Sequence, residues 1–134
     1  MVEKSEIAAK FLAAYNSRDP AQIIALMAAG GTQENVAPGR KHNTPEEIAA
    51  GLTPFFRAVP DARWIETQRI VAGDSIAIAY MLTGHLHEDI GPFKARGQAI
   101  DHAGVHILKT KDGQIVSAQD FWDAEEFARK VDAR

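Results

Sequence analysis

The chain has 134 residues, 46% of them hydrophobic, no cysteine and a formal net charge of -3. That length suits a single domain, residues 1–134, that buries most of the surface its unfolded chain would expose. The missing thiols exclude disulfides, thiolate zinc sites and cysteine nucleophiles, and mixed charge without a basic stripe argues against a nucleic-acid partner.

The opening Met1-Val2-Glu3-Lys4-Ser5-Glu6-Ile7 has neither a basic n-region nor an apolar h-region, and no apolar run is long enough to span a bilayer. A soluble, cytoplasmic protein with no membrane partner is expected. Ile7, Ala8, Phe11, Leu12 and Tyr15 recur at helical spacing, and Asn16 to Pro20 supplies a break, a cap and a proline suited to a first helical turn. A second, short helix carries Ile23, Ile24, Leu26 and Met27 and is expected to stop at Gly30-Gly31; Thr32 to Val36 follows as a short strand. Thr44-Pro45-Glu46-Glu47 is a capping box with proline at N1. It opens a third helix striped by Ile48, Leu52, Phe55, Phe56 and Val59 and ended by Pro60.

From Arg63 the period changes to two. Trp64 to Val71 and Ser75 to Thr83 read as strands joined at Ala72-Gly73-Asp74, with Ile76, Ile78, Tyr80 and Leu82 on one face. A polar loop over Glu88 to Arg96 precedes a long strand, Gln98 to Thr110. A tight turn at Lys111-Asp112-Gly113 then leads to a last strand and a short closing helix. There is no internal repeat or low-complexity stretch. Three helices followed by a run of strands predict an α+β domain, with the helices packed on one face of a curved, mainly antiparallel sheet.

The most informative residue is Asp120, an acid in the last strand among mostly small or apolar neighbours. Aspartate is depleted in strands and almost never fully buried without a partner, so it is either hydrogen-bonded structure or a poised acid/base. His106 on the preceding strand is the available partner. A three-residue Lys111-Asp112-Gly113 loop would pair Thr110 with Gln114, set His106 opposite Ala118 and Gly104 opposite Asp120, and leave His106 diagonal to Asp120. A two-residue Asp-Gly turn would put the two on opposite faces. Tyr80, Leu82 and Trp122 are placed to line an apolar pocket around the acid, whose hollow the small Gly104 and Ala118 would help to leave.

Other features read as structure. His85-Leu86-His87-Glu88-Asp89 resembles part of a His-x-His-x-Asp metal motif, but Ile90 stands where that motif has histidine. No metal is expected. Asp101 should face solvent or a second subunit while His102 enters the cavity beside His106. Asp123 should cap the closing helix, whose Phe127 and Val131 pack inward.

The order of elements, the passage Phe55-Phe56-Arg57-Ala58-Val59-Pro60-Asp61-Ala62-Arg63-Trp64, the Lys111-Asp112-Gly113-Gln114-Ile115 hairpin and the ending Gln119-Asp120-Phe121-Trp122-Asp123 resemble the SnoaL-like branch of the nuclear-transport-factor-2-like superfamily. The resemblance covers nearly the whole chain. It implies a cone-shaped fold, helices closing over a strongly bent sheet around one apolar cavity, and a homodimer formed through the sheets. The polyketide cyclases of this branch carry an acid/base aspartate on the last strand and a histidine on the strand before it, roles that fall on Asp120 and His106. Similarity to limonene epoxide hydrolase places Asp120 in a catalytic carboxylate pair and Asn35 as a water-holding asparagine. Its tyrosine, however, falls on Gln33, and its arginine and second aspartate on Tyr80 and Leu82. The ketosteroid isomerase roles fall on Asn35, Phe11 and His106, which leaves that mechanism without its base.

The resemblance therefore implies an acid/base enzyme without metal or cofactor, acting on a small hydrophobic carbonyl compound. Asp120 and His106 would be catalytic, and Tyr15, Asn35, Phe56, Trp64, Tyr80, Leu82, His102 and Trp122 would form the substrate pocket. The alternatives are a non-catalytic module for an apolar ligand or a dimeric partner, and an epoxide hydrolase that recruits Asp89 or Glu34 as a second carboxylate.

Overall fold

In the computed structural model, which describes residues 3–133, helix α1 (Lys4–Ser17) buries Ile7, Ala8, Phe11, Leu12, Ala14 and Tyr15. Met1, Val2 and Arg134 lie outside the described residues, so part of the opening segment and the outermost boundary residues of the expected domain do too. Helix α1 ends where Arg18 turns left-handed at φ 56° and its N–H bonds the Tyr15 carbonyl. Asp19 accepts from the Ala21 N–H at 3.0 Å and opens α2 (Pro20–Ile24) behind a proline at the first turn. At α3 (Pro45–Ala58), Thr44 Oγ1 accepts from the Glu47 N–H at 3.1 Å while Glu47 reaches back to the Asn43 N–H.

Among the described residues, six strands form one sheet, in the order β2-β1-β6-β5-β4-β3. They are β1 (Met27–Asn35), β2 (Arg40–His42), β3 (Arg63–Ala72), β4 (Ser75–His85), β5 (Ala99–Lys111) and β6 (Gln114–Trp122). The β1–β6 pair is parallel and every other pair is antiparallel. The closing helix α4 (Ala124–Ala133) starts at Asp123, whose Oδ1 accepts from the Glu126 N–H at 3.0 Å. Ile76, Ile78, Tyr80 and Leu82 of β4 alternate inward with Ile100, His102, His106 and Leu108 of β5. They meet Phe11, Tyr15, Ile23, Phe56 and Trp64 in one core between helices and sheet. The expected α+β class, with helices on a curved and mainly antiparallel sheet, holds.

Two expectations need correction, and one strand went unread. Helix α2 stops at Ile24, and Met27 to Gly31 belong to β1, so Gly30-Gly31 is an irregularity within a strand rather than a helix stop. Strand β2 had no clear period in the sequence and pairs only with β1, through Gln33–His42, Glu34–Lys41 and Asn35–Arg40. At the β5–β6 hairpin Lys111 pairs with Gln114, so the loop is the two residues Asp112 and Gly113, both at positive φ (52° and 79°).

That short loop alone would separate His106 from Asp120. A bulge cancels it: the pairing steps from Thr110–Ile115 to Lys109–Ser117, skipping Val116, and one extra residue restores the face. His106 and Asp120 are directly opposite, not diagonal, and Gly104 faces Trp122.

Candidate active site

Asp120 sits where three strands converge, opposite His106 on β5 and beside Asn35 on the parallel β1. Its side chain is 17% exposed. The Tyr80 hydroxyl donates to its Oδ1 at 2.6 Å from β4, two strands away, because the intervening β5 position is Gly104. A Cβ on Gly104 would strike the Tyr80 ring carbon and oxygen and come within 2.9 Å of the Phe121 carbonyl oxygen. The glycine is what lets the tyrosine lie across the strand.

His106 occupies a different place from the one the pairing suggests. It is 1% exposed, walled in by the rings of Phe11, Tyr15 and Tyr80 at centroid distances of 5.0, 4.7 and 4.7 Å. Its Nδ1 is 3.7 Å from Asp120 Oδ1, beyond hydrogen-bond range, and its Nε2 has no partner among the described residues. Burial pulls its pKa down more strongly than the Asp120 charge raises it, so the ring is neutral and the pair is not an ion pair. Burial likewise pushes the Tyr15 and Tyr80 hydroxyls far above their usual range, helped by the Asp120 charge. Both phenols stay protonated and can donate.

A cavity of about 470 Å³ opens over this carboxylate. Asp120, Tyr15, Asn35, Phe56, Trp64, Tyr80, Leu82, His102 and Trp122 all border it; His106 does not. Sequence reasoning missed Gln33, Arg40 and His42, which also line it from β1 and β2. The Gln33 carbonyl oxygen lies 2.7 Å from His42 Nδ1, which therefore carries the proton and donates. Trp122 Nε1 donates to Asn35 Oδ1 at 2.6 Å, tying the last strand to the first. Inward alternation on β1 was the signal for Gln33, but β2 gave none.

Asp120 is the single carboxylate among the described lining residues. Glu34 instead accepts from Gln119 Nε2 at 3.0 Å, and Asp89 from the Ala95 N–H at 2.8 Å. Neither can complete an epoxide hydrolase pair from where it stands. His85 bonds Asp61 at 2.6 Å while Asp89 turns to its own loop, and the described residues hold no group of three or more metal-ligating side chains. Asp101 is exposed and accepts from Lys130 at both its carbonyl and its carboxylate. Among the described residues no helix is long and apolar enough to cross a membrane.

Several solved structures share this architecture. A SnoaL-like polyketide cyclase candidate from Jannaschia sp. CCS1 superposes with a TM-score of 0.85 at 18% identity, covering 97% of this chain and 92% of the other. A polyketide cyclase candidate from Pseudomonas putida KT2440 gives 0.82 at 17% identity, covering 98% and 99%. A protein of ketosteroid isomerase-like fold from Catenulispora acidiphila, crystallised with trimethylamine, gives 0.81 at 21%, covering 97% and 95%. At these identities the likeness is one of fold. No curated protein matches the chain. The model of the SnoaL-like domain matches residues 8–118, from the first helix to the strand that carries Asp120. This chain belongs to the SnoaL-like domain family, with the nuclear-transport-factor-2-like fold.

Proposed function

We propose that this chain is a cofactor-independent acid/base enzyme acting on a small hydrophobic carbonyl compound, in the manner of a polyketide cyclase that closes a ring by intramolecular aldol addition. One observation carries the reading: Asp120, the single carboxylate among the described lining residues, faces an otherwise largely apolar cavity and is held by a 2.6 Å hydrogen bond from Tyr80. Asp120 takes a proton from the carbon beside a carbonyl, and the electron pair moves onto the carbonyl oxygen as an enolate. The protonated Tyr15 hydroxyl donates to that oxygen. The enolate carbon then attacks a second carbonyl carbon, and the new alkoxide takes the proton back from Asp120. No atom is gained or lost. Cavity walls of Phe56, Trp64 and Leu82 fold the flexible substrate toward its product shape. His106 supports Tyr80 and Tyr15 from behind, a positioning role.

The test is carbon-acid exchange. Incubated in D2O with 2-tetralone, the protein should speed loss of the α-proton NMR signal at least ~tenfold over buffer, and Asp120→Asn should abolish this while still binding the ketone. Exchange at the buffer rate, or exchange unaffected by Asp120→Asn, would overturn the reading. Binding without exchange would identify a ligand-holding module instead.

We also propose that a second copy of the chain covers the outer sheet face. Across β3, β4, β5 and β6, Ile65 pairs with Met81, Ala79 with Val105 and Val105 with Phe121, all on the side away from the helices. Ile65 is 44% and Phe121 39% exposed, an apolar area that water alone covers poorly. Light scattering should give a dimer mass, and Phe121→Asp should give the monomer.

A further inference from the structure

His102 is, among the described residues that line the cavity, the one buried side chain with both polar atoms outside hydrogen-bond geometry. It is 3% exposed, and neither Nδ1 nor Nε2 makes a hydrogen bond of good geometry, the Asp123 carbonyl being the one backbone acceptor that acts on the ring. Buried imidazoles are nearly always bonded to something. The rings of Trp122 and Phe127 meet it edge-on at 5.9 and 5.4 Å, so it is packed in place. His102 also lies four residues along β5 from His106, which faces Asp120, so its backbone is ~13 Å from Asp120 along the strand. That separation puts it at another part of the cavity, with Ile90, Phe93 and Phe127.

We propose that His102 is a second polar subsite, and that the ligand carries a neutral hydroxyl or carbonyl oxygen there, at the far end of an apolar frame from the carbonyl that faces Asp120. This rests on the acid/base reading of Asp120. The substrate class becomes narrower: a bifunctional compound with oxygens at both ends, not a simple ketone.

Burial holds the ring below its usual pKa; the Glu126 charge opposes this, Lys130 adds to it, and the Asp123 carbonyl and carboxylate oppose it more weakly. A neutral imidazole presents one N–H and one lone pair, which a hydroxyl can satisfy in either sense. Lys130, the cation that acts on the ring, is already paired with Glu126 at 2.8 Å and Asp101 at 3.2 Å, so a neutral oxygen suits that end better than a carboxylate. An apolar group there would leave both nitrogens unbonded, which is the strong form of discrimination between substrates that carry or lack a hydroxyl.

Two biphenyls test this. 4-Phenylphenol has one terminal hydroxyl and 4,4'-biphenol has one at each end. By calorimetry, the protein should bind the biphenol about tenfold more tightly. His102→Phe should remove that preference, so that the biphenol binds no more tightly than 4-phenylphenol. In the unmutated protein, the ring-nitrogen NMR signals of His102 should shift on adding the biphenol but not 4-phenylphenol, a readout that does not depend on any variant folding. Equal affinities, no binding of either probe, a preference that survives His102→Phe, or unmoved ring-nitrogen signals would each overturn the subsite. Measurements on the unmutated protein separate the two proposals. If tetralone exchange is absent but the biphenol preference is present, the acid/base reading falls and the subsite stands; the reverse pattern overturns the subsite alone.

Discussion

The Tyr80 hydroxyl reaches Asp120 Oδ1 at 2.6 Å by lying over Gly104, so two side chains on β4 and β6 meet across a strand that contributes no side chain of its own. Gly104→Ala should displace the tyrosine or force the strands apart, costing about 1–3 kcal/mol of stability. Denaturant unfolding measures the loss. Tyr80→Ala made first should make the added Gly104→Ala markedly less costly, and strict additivity of the two changes would refute the contact.

Tyr80→Phe keeps the ring and removes the donor. A hydrogen bond to a charged acceptor contributes about 1.5–3 kcal/mol, so this variant should be less stable by that order. It should also slow tetralone exchange, because Asp120 Oδ1 is then free to rotate. Unchanged exchange with lowered stability would make the bond purely structural.

Both tyrosines of the chain titrate above their ordinary range. An unfolded tyrosine ionises near 10.0, whereas the folded one does not, so above that pH the folded state binds more protons. Stability should therefore fall as pH rises past 10.0, by up to ~1.4 kcal/mol per unit for each tyrosine. Absorbance at the tyrosinate band should appear only together with unfolding. A separate native titration of either phenol would contradict the burial of these side chains.

On the acid side the sign is opposite in origin. His102 and His106 have depressed pKa values, so below their unfolded value of 6.5 the unfolded chain takes up protons that the folded chain refuses. Stability should decline as pH drops from 6.5 toward 5. His106→Phe should flatten that decline in denaturant melts measured across the range, and an unaltered slope would show that His106 is charged in the fold.

Much of this was legible in the chain. The stripe Ile7, Phe11, Leu12 and Tyr15 and the capping residues around Thr44 are local signals, and both helices formed where those signals lay. Alternation of Ile76, Ile78, Tyr80 and Leu82 gave the inward face of β4. What local signals could not carry was register. The Asp112-Gly113 turn and the Val116 bulge are each a one-residue change, and they cancel, so a three-residue loop predicted the shared face through the wrong geometry. Depth is equally non-local: a shared face places His106 with Asp120, but Tyr15 from α1 and Tyr80 from β4 decide that it lies behind the cavity wall. Strand β1 was misread over Met27 to Gly31 because its pairing partner, β6, lies far along the sequence.

That last pairing also governs when the site can exist. Strand β1 lies between β2 and β6, and Glu34 meets Gln119 at a sequence separation of 85. During synthesis β1 leaves the ribosome long before β6, with only the three-residue β2 to pair with. Its remaining edge, and the Asn35 side that meets Asp120, stay open until the last strand arrives. The cavity wall that carries Asp120 is therefore the final part of the sheet to close, and nascent chains halted before β6 expose a strand edge that invites pairing with a neighbour.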